Sequence, residues 1–92
     1  MTHKLKLNIN FCDAVLCGDK NFEIRFNDRG YQKGDYVKFI PYDGCVCCHA
    51  ISEKVYKITY VTNGFGLEKD WVVFGIKEVN APEGASNCTY EM

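Results

Sequence analysis

Polar and apolar residues alternate along most of this chain, and glycine-marked intervals interrupt the alternation. From His3 to Ile9, Leu5, Leu7 and Ile9 share one parity while Lys4, Lys6 and Asn8 share the other, the period of a half-buried strand. Asn10 then stands where a helix N-cap is expected, with Asp13 in the first turn and Phe11, Ala14 and Val15 on one face. Gly18 suits the left-handed position that ends such a helix. A second strand is predicted over Lys20–Phe26, with Phe22, Ile24 and Phe26 on the buried face and Glu23 and Arg25 on the outward one. "NDRGYQKGD" supplies turn residues, Asn27 and Asp28 by bonding locally to backbone and Gly30 and Gly34 by accepting positive φ. Tyr36–Tyr42 and the long run Ile51–Val61 predict two more strands, the latter bent or shared between pairings. Asn63-Gly64 marks a turn, and Trp71–Val79, apolar on both parities, predicts a closing strand covered on both sides.

These elements predict a mainly β fold, a partly closed barrel of about five strands with one short N-terminal helix. Closure hides strand edges that an open sheet exposes. Residues 3–79 make a single domain in this reading, and 80–92, rich in Ala, Pro, Glu, Gly, Ser and Asn, a flexible C-terminal tail. Composition is compatible with that size: 92 residues with 47% hydrophobic side chains, 6 Tyr, 6 Phe and 1 Trp are enough for one packed core.

Charge changes the picture only slightly. The formal net charge is -1. Residues 1–38 carry 7 Lys/Arg against 5 Asp/Glu, or +2, and residues 39–92 carry 4 against 7, or -3. One cationic face is compatible with this balance, whereas a non-specific nucleic-acid coat protein is far more basic. Apolar runs such as Ala14–Cys17 and Trp71–Phe74 are far shorter than the ~18 residues of a membrane span, and the start lacks a signal-peptide core. The expectation is a cytoplasmic protein with no membrane partner and with its 6 cysteines reduced.

Three stretches bear on chemistry. "CVCCH", Cys45 to His49, contains zinc-ligand types, but Cys47 and Cys48 are adjacent and point to opposite sides of an extended chain. A hairpin loop with incidental cysteines is expected there, with no metal. No phosphate loop is present and no cofactor is expected. The third stretch, "KNFEIRFNDRG", packs Lys20, Glu23, Arg25, Asp28 and Arg29 around a strand. As an ordinary solvated face it needs no explanation. With Tyr31, Tyr36, Tyr42, Tyr56, Tyr60 and Trp71 elsewhere in the chain, it also offers cations for phosphate, a carboxylate for an amino group and rings for stacking.

The segments "HKLKL", "FCDAVLCGDKNFEIRFNDRGYQKGD" and "YVTNGFGLEKDWVVFGI" resemble the ASCH domains of the PUA-like superfamily, in particular a small branch of bacterial and phage proteins. The likeness runs from His3 to about Val79 and is most specific at Gly18, Lys20, Phe22, Glu23, Arg25, Asn27, Asp28, Arg29, Gly34 and Asp35. The resemblance implies a PUA-like barrel that binds RNA or a nucleotide in a cleft beside the helix, with Lys20, Glu23, Arg25, Asn27 and Arg29 as the ligand-facing set. Some ASCH members are instead amidohydrolases acting on N4-acylated cytidine through a Lys, a Thr and a later Glu. Lys20 matches that Lys, but Glu23 stands at the Thr position, and only Thr62–Asp70 lies where the family inserts the helix bearing the Glu. Lys20 and Glu23 remain the candidate catalytic pair for this alternative. Ile9 in place of a usual Pro, Cys12 in place of an aromatic, and the hairpin "IPYDGCVCCHA" also depart from the branch. A protein-interaction module is the third reading, with the charged strand as plain surface.

Overall fold

The computed structural model describes residues 1–80, and the expected tail lies outside the described residues apart from Asn80. Five strands, β1 (Thr2–Asn8), β2 (Phe22–Phe26), β3 (Tyr36–Tyr42), β4 (Val55–Thr62) and β5 (Trp71–Val79), form one sheet in the order β1-β3-β4-β5-β2. The sheet curls into a half-barrel, and one helix, α1 (Ile9–Leu16), packs against β1 and β3. The β1–β3 pair is parallel and the other pairs are antiparallel. No helix among the described residues is long and apolar enough to cross a membrane.

The inside of the curl holds one contiguous core. Leu5 and Leu7 of β1, Val37 and Phe39 of β3, Ile58 of β4 and Val72, Phe74 and Ile76 of β5 meet there with Cys12 and Val15 of α1. Each large apolar side chain withdrawn from water in this way contributes about 1.5–3 kcal/mol. The predicted strands Tyr36–Tyr42 and Trp71–Val79 stand as expected. The first strand and the helix meet earlier than predicted. Asn8, not Asn10, is the N-cap, its Oδ1 accepting from Asn10 N–H at 2.8 Å, so Ile9 belongs to the helix. The helix buries Cys12 and Val15 and leaves Phe11 half exposed, in place of the predicted Phe11, Ala14 and Val15 face. Gly18 follows the C-cap Cys17 with φ +89°, the left-handed position predicted for it.

The long fourth run is divided. A turn of 3-10 helix over Ala50–Glu53 precedes β4, and β4 bulges where Ile58 pairs with Ile76 and Tyr60 with Gly75. The extra residue, Thr59, explains the glycine opposite: a Cβ on Gly75 would lie 2.7 Å from Thr59 Oγ1.

The largest departure from expectation is in β2, where the parity is inverted. Phe22, Ile24 and Phe26 are 41%, 49% and 49% exposed, whereas Glu23 is 3% exposed and Arg25 half-buried. The charged parity points into the curl and the apolar parity points out. Register accounts for this: Glu23 and Arg25 stand opposite Phe74 and Val72, whose side chains are in the core. The outer face of β5 is likewise uncovered, with Trp71 37% exposed, so the strand is covered on one side only.

Candidate functional site

Because the sheet order places β1 and β2 at its two ends, both are edge strands. An edge presents backbone groups that need partners, and here side chains bridge the gap. Arg25 Nη2 donates to the Lys6 carbonyl at 2.8 Å, and Arg29 Nη1 donates to the Lys4 carbonyl at 3.1 Å. The half-barrel is therefore strapped along a seam by two guanidinium groups.

Glu23 anchors the first strap. A buried carboxylate is tolerated only when paired and hydrogen-bonded, and both of its oxygens are engaged. Arg25 donates to Oε1 from Nε at 3.0 Å and from Nη2 at 2.8 Å, while Lys20 Nζ bonds Oε2. Lys20 Nζ also donates to the Phe22 carbonyl at 2.8 Å and lies 4.9 Å from the Phe22 ring centre. The local chain explains its position: Gly18 ends the helix, and Lys20 N–H turns back to the Ala14 carbonyl at 2.9 Å. The carboxylate thus aims two cations rather than standing as an unpaired base.

A groove of about 410 Å³ opens over this triad. Lys6, Lys20, Glu23 and Arg25 supply its charge, and Phe11, Phe22, Phe26 and Trp71 its aromatic walls. Phe26 and Trp71 meet edge to face at 6.0 Å. Beyond Arg25 and Phe26 a second groove of about 410 Å³ continues along the seam past Lys4, Asp28 and Arg29.

Of the residues singled out from sequence, Lys20, Glu23 and Arg25 converge, and Arg29 lies in the adjoining groove. Asn27 does not join them: its Oδ1 accepts from Tyr31 N–H at 2.9 Å, and it lines a different depression with Asn63 and Asp70. Tyr31 and Tyr56 are core residues. Burial raises the Tyr31 phenol against the lowering pull of Arg25 and Arg29, and burial, with Glu78 and Cys12, pushes Tyr56 up to about 12. Among the tyrosines, Tyr60 is 65% exposed. Sequence reasoning missed Lys6, Phe11, Phe22 and Phe26 as groove residues. The alternation "FEIRF" placed the two phenylalanines correctly on one face but assigned that face to the interior.

The cysteine-rich loop is organised around its histidine. His49 Nδ1 accepts from Ile51 N–H at 3.0 Å and Nε2 donates to Asp13 at 2.7 Å, tying the 3-10 turn to α1. Among the described residues no group of three or more His, Cys, Asp or Glu is placed to hold a metal ion. Burial, then Asp13, raises the Cys12 thiol above its ordinary range, the opposite of what a nucleophile needs. At the other end of β1, His3 is buried against Tyr31 and bonds Asp35 at 2.8 Å. Burial pushes the Asp35 carboxyl up, but bonds from His3 and Gln32 N–H outweigh it and hold the group below its usual range.

A family model described as "Domain of unknown function (DUF3850)" matches residues 2–76, a span that includes α1, all of the seam residues and most of β5. No curated protein matches the chain.

Proposed function

From a chain that belongs to the DUF3850 family, we propose a module that binds RNA or a nucleotide at the β1–β2 seam. The observation that carries this reading is one groove with Lys6, Lys20 and Arg25 beside Phe11, Phe22, Phe26 and Trp71. Ammonium and guanidinium groups suit phosphate oxygens, and aromatic rings suit unpaired bases, the two components of single-strand recognition. The resemblance of the G-x-K-x-F-E-x-R segment to ASCH domains supports the same class of ligand. In this reading Glu23 holds Lys20 and Arg25 ready, and Arg29 extends the cationic path. A hydrolytic role is less well supported, because both oxygens of Glu23 are already occupied by cations.

Fluorescence anisotropy with a labelled single-stranded RNA, read from about 50 to about 200 mM salt, tests the proposal. Binding that weakens with salt is expected, with a loss in Lys6→Gln and Arg29→Gln, whose side chains line the seam without bonding Glu23. No binding at low salt, or binding unaltered in both variants, refutes it. Incubation with N4-acetylcytidine separates binding from catalysis: release of cytidine would replace the binding reading with an amidohydrolase.

A further inference from the structure

The sheet's outer face has a composition that neither its sequence segments nor the seam reveal. The positions facing outward include Thr2, Lys4, Lys6 and Asn8 on β1, Phe22, Ile24 and Phe26 on β2, alternate residues from Tyr36 on β3, Lys57, Thr59 and, past the bulge, Tyr60 and Thr62 on β4, and Trp71, Val73, Gly75 and Lys77 on β5. Every charged residue among the outward strand positions is a lysine: Lys4, Lys6, Lys38, Lys57 and Lys77. In a chain of net charge -1 that is a marked segregation of sign. Register sharpens it, since Lys4 pairs directly with Lys38 and Lys57 with Lys77. Like charges directly opposite are unfavourable in a sheet. Burial, then the Lys4 charge, lowers the Lys38 ammonium below its usual range, with Glu53 pulling the other way.

Aromatic residues share this face. Phe22 and Phe26 of β2, Trp71 of β5 and Tyr60 of β4 expose their rings there. Phe22, Phe26 and Trp71 also wall the seam groove, so the seam and the outer face are continuous. From Trp71 to Lys77 the strand runs for about 20 Å, the length of about six nucleotides at the ~3.4 Å rise of a stacked strand.

We propose that this outer face binds a single-stranded nucleic acid that continues out of the seam, its bases stacking on Phe22, Phe26, Trp71 and Tyr60 and its phosphates reaching Lys57 and Lys77. The inference rests on the seam reading and adds that the ligand is an extended strand rather than a mononucleotide. Charge complementarity selects this occupant. A second copy docked symmetrically would bring the same lysine-bearing patch against itself, whereas a polyanion relieves the crowding of Lys57 and Lys77.

Titrations of the full chain with labelled oligouridylates of about two and about eight nucleotides, each over a salt series, test the proposal. The longer strand is expected to bind at least about tenfold more tightly, with stacking quenching the fluorescence of the only tryptophan, Trp71. Lys57→Gln combined with Lys77→Gln is expected to reduce the magnitude of its salt slope by about 1.4, two contacts at ~0.7 each. Tyr60→Ser is expected to weaken the longer strand and leave the dinucleotide unchanged. All substituted positions are solvent-exposed, and thermal melting verifies the fold. Equal affinity for both lengths, with a parent-like slope in the lysine variant, overturns this inference while leaving the seam reading intact. Failure of both oligonucleotides to bind overturns both, and binding to anionic phospholipid vesicles in their place reassigns the face to a membrane surface.

Discussion

Arg25→Ala tests the inverted parity of β2 most directly. Arg25 donates twice to Glu23 Oε1, at 3.0 and 2.8 Å, and once to the Lys6 carbonyl at 2.8 Å. Removing it leaves a carboxylate whose side chain is 4% exposed with Lys20 as its remaining cation. Breaking a buried pair by deleting one partner costs about 3–5 kcal/mol, chiefly through the unpaired charge left behind. The low end applies, because Lys20 remains and the Lys6 carbonyl lies on an edge that water can reach, so a loss of about 3 kcal/mol is expected. Glu23→Gln changes the outcome in an informative way: a neutral amide needs no counter-charge, so Arg25→Ala is expected to cost about 1 kcal/mol in that background, the scale of ordinary hydrogen bonds. Urea unfolding of the parent, the two single variants and the double variant then gives a coupling energy of about 2 kcal/mol. If Arg25→Ala costs the same in both backgrounds, Glu23 is not held by Arg25 inside the curl and the description of the seam fails.

Two further outcomes follow from the same geometry. Ile24→Ser is expected to change stability by less than about 1 kcal/mol, because Ile24 is 49% exposed; a loss in the 2–5 kcal/mol range of a core truncation would restore the opposite parity. Asp35, held below its usual range, stabilises the fold at pH values above the ordinary carboxylate pKa, and that contribution is lost as pH falls through its depressed value. The melting-temperature gap between the parent and Asp35→Asn is therefore expected to narrow on acidification below about pH 4, and a gap that holds constant through the acid range contradicts the pairing with His3.

The legibility of the fold from sequence varied by element, for reasons that particular residues make plain. Tyr36–Tyr42 and Trp71–Val79 were readable because turn residues bracket runs with strong strand preference. Asn8 and Asn10 are chemically equivalent cap candidates in the sequence, and only the backbone turn, φ -54° and ψ 135° at Asn8, separates them. Lys20, Glu23 and Arg25 were recognisable as a cluster, since local spacing determines which residues are neighbours. Their connection to Lys6 was not, because nothing local in "KLKL" or "FEIRF" states that the two ends of the sheet face each other.

Local sequence by itself determined that β1 and β2 each have two unlike faces, through alternation, and that Gly18 ends the helix and turns fall near Gly30, Gly34 and Gly64, through the positive φ that glycine accepts. Those are properties of neighbouring residues and the backbone angles they permit. Which face of β2 turns inward, which lysines stand side by side and where the seam closes were decided only by the sheet order and register. A period of two is unchanged when a strand is turned over, so its direction is set by partners distant in the chain: Phe74 and Val72 across from Glu23 and Arg25, and the carbonyls of β1 that the arginines reach.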